Sequence, residues 1–186
     1  MQADTRQQLS KTTISLHWVV AILMIGLLST GVYMEQTSSY WLYDWHKSFG
    51  VVIALFVVAR IIWRIKQGWP QHVGSYTALE ILLAKLVHYL LIVGTLVMPV
   101  SGFLMSAMGG HGVAVFGFEL FHHNPDPNNP GRVLPINPGL ASTAHSIHWI
   151  AGYCIIAGVV LHVAGAVKHH VADKDGTLRR MLGKRV

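Results

Sequence analysis

His148 and His162 lie fourteen residues apart on the last long hydrophobic segment, and His17 and His46 sit near the ends of two earlier ones. Fourteen helical residues rise about 21 Å and turn through about 1,400°, some 40° short of four full turns. Both imidazoles would then leave one face of the helix at different depths, so that one helix holds one side of two stacked cofactors. Haem iron that transfers electrons takes two axial ligands, and two imidazoles leave no open position for oxygen chemistry. The expected chemistry is one-electron transfer by two haems.

The elements that must position these histidines follow from composition. The 186 residues are 52% hydrophobic and only 12% charged, roughly half the charge of an ordinary soluble domain. Residues of about 13–34, 46–66, 82–105 and 145–168 are each long and apolar enough to cross a hydrocarbon core of about 30 Å, which takes about 20 helical residues. The expected fold is an all-α integral membrane four-helix bundle binding two haems, a single domain over 1–186. The first segment could be read as a signal peptide. Its core of about 20 residues, the lack of a clean cleavage site and His17 near its start predict a retained helix.

The formal charge of +6 is distributed by side rather than in a nucleic-acid-binding stripe. Arg6 and Lys11 precede the first span, Arg60, Arg64, Lys66 and Lys85 bracket the second connection, and Lys168, Lys174, Arg179, Arg180, Lys184 and Arg185 follow the fourth span. Only Lys47 and Arg132 fall on the other side. The positive-inside rule puts both termini in the cytoplasm, with 35–45 and 109–144 outside. Gly68, Pro70 and Gly74 break the cytoplasmic connection, after which Ala78 to Leu86 could start as an interfacial helix. The prolines and asparagines of 109–144 predict an external loop without regular helix. Cys154 is the single cysteine, so no intramolecular disulfide can form.

Depth pairs the ligands. His46 and His148 both open spans at the external face, whereas His17 lies six residues after Lys11 and His162 six before Lys168. The expected axial pairs are therefore His46 with His148 and His17 with His162. Gly50 and Gly152, each four residues after a ligand, would clear the same helical face for a flat porphyrin. Gly158, Gly165 and Ala21 stand similarly around His162 and His17; ordinary helix contacts by small residues are the alternative. His145 would lie about 100° away from the face of His162 and is set aside. His88 is the rival to His17, being at the cytoplasmic start of span three, but it is shallower and Ile92 rather than a small residue follows it by four. If it is not a ligand, a hydrogen bond to a quinone or a haem propionate, or an interfacial position, would explain it.

His122 and His123 could bind a metal, though adjacent residues seldom chelate alone and a solvated loop is the plainer reading. Arg60 and Arg64 suit either a propionate or snorkelling to the interface, and Lys47 could pair with a propionate of the outer haem. Trp18, Trp45 and Trp149 adjoin proposed ligands, where the membrane interface alone would favour tryptophan.

Taken together, these residues resemble the bacterial cytochrome b561 family over nearly the whole chain. The likeness rests on Ile14-Ser15-Leu16-His17-Trp18, on His46 with Gly50, Arg60 and Arg64, on His88 eleven residues before Pro99, and on His148 and His162 followed by His169-His170, Lys174-Asp175 and Thr177-Leu178. The resemblance implies a four-helix protein of the inner membrane with two non-covalent haem b groups, in keeping with the lack of a Cys-x-x-Cys-His motif. It also implies electron exchange with ubiquinone, and superoxide oxidation at the external face as the family's best characterised activity. An anionic substrate is steered by positive potential, yet the external segments carry Glu35, Asp44, Glu119 and Asp126 against Lys47 and Arg132.

The function expected is single-electron transfer across the inner membrane between a periplasmic donor, superoxide among the candidates, and the ubiquinone pool. The alternative is a cytochrome b anchor subunit of a larger dehydrogenase or hydrogenase-type complex. A haem-free metal transporter would need acidic residues in mid-membrane, and the four spans contain essentially none.

Overall fold

The computed structural model describes residues 3–186. Four long helices dominate it: α1 (Lys11–Thr37), α2 (Tyr43–Gln67), α3 (Ala78–Met108) and α4 (Pro138–Val171). Each contains a stretch apolar enough to cross a membrane, with mean hydropathy of 1.9 to 2.1. Their outward faces carry exposed Ile22, Leu55, Val93 and Val160. In water such surfaces would be costly; against lipid they are the expected solvent-facing side.

Local chemistry sets the helix ends. The Ser10 hydroxyl accepts the Thr13 N–H at 3.2 Å and caps α1. Ser38, in the left-handed region at φ 52°, ends that helix, and a 3-10 turn at Tyr40–Leu42 leads into α2. Gly68 at φ 70° closes α2, as the glycine and proline signals there predict. Thr77 and Glu80 form a reciprocal capping box on α3, satisfying two orphan N–H donors. That helix then runs without interruption to Met108, so the expected separate interfacial piece at 78–86 is its first turns.

The connection from α3 to α4 also departs from expectation. It is not irregular throughout, because β1 (Val113–Val115) pairs with β2 (Phe118–Phe121) and β3 (Pro125–Asp126) with β4 (Asn129–Val133), both antiparallel. Nor does the proline-rich stretch exclude helix up to 144: α4 begins at Pro138, with the Asn137 side chain accepting the Leu140 N–H at 3.0 Å. A proline at the first helical position forfeits only an N–H that would have had no partner.

The helices pack as two hairpins. α1 lies on α2 and α3 on α4, while α2 joins the two along α3. α1 and α4 have few direct contacts, leaving a seam between the hairpins. Its middle is filled by Val20, Met24, Leu28, Ile53, Val57 and Ile155. At the hairpin end of the bundle, Glu35 spans the seam by accepting from Trp149 Nε1 at 2.8 Å and the Tyr153 hydroxyl at 3.1 Å. At the other end the Trp18 indole donates to the Met181 carbonyl on α5 (Thr177–Met181) at 2.9 Å.

The terminal end is closed by a polar cap. Asp4, with 4% of its side chain exposed, accepts from the Ser10 N–H at 2.8 Å and from the Thr13 hydroxyl at 2.8 Å and 2.9 Å, with Arg64 Nη1 at 3.5 Å. Buried Arg180 donates to the carbonyls of Arg6 and Gln71, both at 3.0 Å. Val186 N–H bonds the Gln7 carbonyl at 3.0 Å, tying the last residues to the first.

Two outcomes follow from this packing. A Cβ on Gly94 would stand 2.7 Å from Cγ1 of Ile155, whose side chain is fully buried. Gly94→Val should therefore lower stability by about 1–3 kcal/mol in thermal unfolding in detergent, with partial recovery in Gly94→Val/Ile155→Ala; a neutral Gly94→Val would refute the close α3–α4 contact. For Asp4, burial raises the pKa, but the bonds from Ser10 and Thr13 and the charge of Arg64 outweigh it and hold the carboxyl below its ordinary 3.8. A depressed folded pKa adds stability that is complete above the unfolded value and fades as the pH falls through the folded one. Asp4→Asn should cost about 1–3 kcal/mol at neutral pH, and the gap from wild type should narrow as the pH drops below 3.8.

Candidate functional site: two histidine pairs

The four histidines singled out by spacing meet as two pairs across the seam. His17 on α1 and His162 on α4 have ring centroids 6.1 Å apart, with an interplanar angle of 51°. His46 on α2 and His148 on α4 are 6.4 Å apart at 80°. An imidazole nitrogen sits about 2.0–2.1 Å from a bound metal, so rings on opposite sides of one iron have centroids roughly 6 Å apart. Both pairs fit a bis-imidazole haem. All four rings are half-buried.

In the His46–His148 pair the surroundings fix ring orientation. The Nδ1 of His148 lies 3.0 Å from the carbonyl of Met98; a carbonyl only accepts, so Nδ1 carries the proton. The Ser101 hydroxyl, which donates to Val97 and Met98 carbonyls, is 3.2 Å from the same nitrogen. The Nδ1 of His46 lies 3.2 Å from Thr30 Oγ1, whose own proton goes to the Leu27 carbonyl at 3.0 Å. That hydroxyl is left as an acceptor, and His46 too is a donor at Nδ1. Each ring thus keeps an Nε2 lone pair, the arrangement that metal-ligating histidines share.

The His17–His162 pair is less symmetrical. Arg60 Nη2 is 3.3 Å from the Nδ1 of His17, and a guanidinium has only donors. Among the described residues Arg60 has no carboxylate partner, whereas Arg64 turns away to Asp4 and the Gly68 carbonyl. The two arginines that sequence treats alike are thereby separated: Arg60 belongs to the site and Arg64 to the cap. His88 also reaches His162, at 5.2 Å and 88°, and donates from Nδ1 to the Ala84 carbonyl at 2.6 Å. That separation is short for two rings flanking an iron and is an ordinary aromatic edge contact. Lys47 pairs with Asp44 at 3.2 Å, and His145 is exposed.

The expected glycines differ in the space beside them. An added Cβ at Gly50 or Gly165 would have no heavy atom within 4 Å, and at Gly152 only Met98 Cε at 3.7 Å. Gly158 instead faces Leu90 and Leu91, each 3.1 Å from a Cβ there, and serves α3–α4 packing. The glycines nearest the rings are two that spacing did not select: Gly31, whose Cβ would lie 3.6 Å from His46 Cε1, and Gly102, whose Cβ would lie 3.0 Å from His148 Cε1. Thr30, Ser101 and the Met98 carbonyl were likewise missed. A hydroxyl inside an apolar span was the available signal for the first two.

A helical bundle with four apolar spans and two facing imidazole pairs defines a membrane electron-transfer cytochrome. A model of the prokaryotic cytochrome b561 family matches residues 8–184, and the chain belongs to that family. Among its relatives, cytochrome b561 homolog 2 of Escherichia coli is 29% identical over 186 residues, covering 97% of this chain and 94% of that protein. Cytochrome b561 homolog 1 of the same organism is 29% identical over 183 residues, covering 95% and 97%. A protein of Yersinia pestis described as a probable superoxide oxidase is 23% identical over 175 residues, covering 92% and 94%. Membership implies haem b, and the paired imidazoles supply a donor set suited to it.

The close approach at Gly102 yields a measurable difference. Gly102→Val should displace the His148 ring and alter the low-spin haem signal in electron paramagnetic resonance, whereas Gly31→Ala, with ordinary contact distance, should leave it unchanged. Equal spectra for both variants would show that His148 is not held by its α3 neighbour.

Proposed function

We propose that the protein is a di-haem b cytochrome of the bacterial inner membrane that transfers single electrons between a periplasmic donor and the ubiquinone pool. The observation that carries this reading is the pair of imidazole separations, 6.1 Å and 6.4 Å, one at each end of the seam. His46 and His148 would hold one haem, His17 and His162 the other; bound iron so ligated supplies outer-sphere one-electron transfer and no oxygen-binding position. The chain's own residues orient the ligands. Thr30 and Met98 engage the Nδ1 atoms of His46 and His148, which leaves each Nε2 free to bind iron. Were His17 to hold iron through Nε2, its Nδ1 would carry the proton and could not accept from Arg60, whose guanidinium would then be free for an anionic acceptor such as a haem propionate.

The same reading makes residues 1–186 one transmembrane domain with both termini in the cytoplasm, from the bias of lysine and arginine toward the terminal end. The hairpins then face the periplasm, where the donor docks. Superoxide is the first donor to try, in view of the relative from Yersinia pestis. The positive charge that would steer it is limited, because Lys47 is engaged by Asp44 and Glu119 lies against His122. At the terminal end His88, which lies beside His162 and Trp69, would contact a quinone. Service as the cytochrome subunit of a larger complex is the outcome if the purified chain fails to reduce a ubiquinone analogue with any soluble donor.

Haem-to-protein ratios test the ligand set directly. Wild type should carry two b haems, His17→Ala one, and His88→Ala two with slowed quinone reduction. Loss of a haem in His88→Ala, with two retained in His17→Ala, would reverse the assignment.

A further inference from the structure

The two β-hairpins between α3 and α4 differ in chemistry. The second, β3–β4, presents Asp126, Asn128, Asn129 and Arg132, mostly exposed. The first, β1–β2, presents Phe116, Phe118 and Leu120, which are 55%, 72% and 48% exposed. Phe118 and Leu120 flank Glu119 on β2, and Leu120 is the extra residue where the pairing slips between Val113–Phe121 and Ala114–Glu119. Glu119 is paired with His122 at 2.7 Å. Phe121 is turned inward against Phe103 on α3.

The first hairpin is bolted to α2 at a defined level. Its two turn residues, Phe116 and Gly117, have φ of 49° and 89°, values that asparagine and glycine adopt readily and a bulky side chain resists. Phe116 is nevertheless held there. Its ring meets Phe49 edge-on at 5.3 Å and Trp45 at 5.9 Å, and its N–H bonds the Ser48 hydroxyl at 3.0 Å. Trp45, Ser48 and Phe49 occupy the first two turns of a membrane-spanning helix. Tyr40, Trp41 and Tyr43 are exposed just before them, and such aromatic groups mark the headgroup level of a bilayer. The hairpin tip shares that level, with Phe116 seated on the exposed Trp45 and Phe49 of α2.

We propose that the β1–β2 hairpin lies in the boundary between lipid headgroups and acyl chains, with Phe118 and Leu120 against lipid, while the β3–β4 hairpin stands in water. The occupant of the exposed apolar face is the bilayer itself. Phe116 is the pin that sets the depth, which accounts for a phenylalanine in a turn that disfavours it.

Nitroxide labels at Phe118→Cys, Leu120→Cys and Asn128→Cys, each in a Cys154→Ser background and reconstituted in phosphatidylcholine nanodiscs, test this. Folding of each variant is checked by its unchanged haem spectrum. Labels at 118 and 120 should be several-fold more accessible to oxygen, which partitions into lipid, than to a water-soluble nickel chelate; the label at 128 should show the reverse. The two hairpin positions report independently, so the loss of one variant leaves the other. If the labels at 118 and 120 are as open to the nickel chelate as the one at 128, the apolar face stands in water and awaits a protein partner, and the proposal fails.

Discussion

Imidazole is a polar group that hydrocarbon does not tolerate alone, and the need to satisfy five of them inside apolar helices governs this structure. His17, His46, His88, His148 and His162, five of the eight histidines on the four long helices, each lean on a neighbouring polar group or another ring. The price is visible in the helix packing. α1 is clasped across the seam at its two ends, by Glu35 with Trp149 and Tyr153 of α4 and by Trp18 with Met181 of α5. Between those clasps the histidine pairs are separated by an apolar layer formed by Val20, Met24, Leu28, Ile53, Val57 and Ile155. The layer sets the two ligand levels apart.

The two ends of the bundle are built from different materials. At the terminal end, charged and amide groups from distant parts of the chain interlock: Asp4 with Thr13 and Arg64, Arg180 with three carbonyls, Tyr76 with Asp175 and Thr177. Burial and the bond to Asp175 push the Tyr76 phenol above its ordinary value, which keeps it neutral and donating. At the hairpin end, aromatic contacts accompany the charged pairs: Tyr40 stacks on Tyr43 and Trp45 on Phe49, and Trp149 meets Tyr153 at a tilt. This division follows from solvent. One end closes by satisfying polar groups among themselves, whereas the other closes with rings that tolerate both lipid and water.

Much of this was legible in the sequence because helical periodicity is a local property. Fourteen residues between His148 and His162 fix a shared face before any tertiary contact is known, and the apolar lengths fix four spans. The pairing across the seam was legible because helix direction alternates, so depth could be counted from flanking lysines. Contacts between helices were not legible. Gly31 and Gly102 approach histidine rings of another helix, and Gly158 packs on α3 rather than beside His162; neither fact is encoded in spacing along one helix. The second hairpin was hidden by proline, which excludes helix but is compatible with short edge strands; the first contains none and was passed over as part of the same loop. The start of α4 at Pro138 was hidden by the same residue type, read as a breaker where it initiates.

The order of the helices along the chain carries a consequence for biogenesis. In the proposed ligand assignment α1 gives one imidazole to the first pair and α2 one to the second, but α4 gives one to each. α4 is also the last of these four long helices to be made. Neither cofactor position can be completed before α4 has been synthesised, however early the first two spans enter the membrane. Until then Arg60 and the half-formed pairs must persist in lipid, and the completed seam would form in one late step, when the fourth span docks on α3 and closes both sites together.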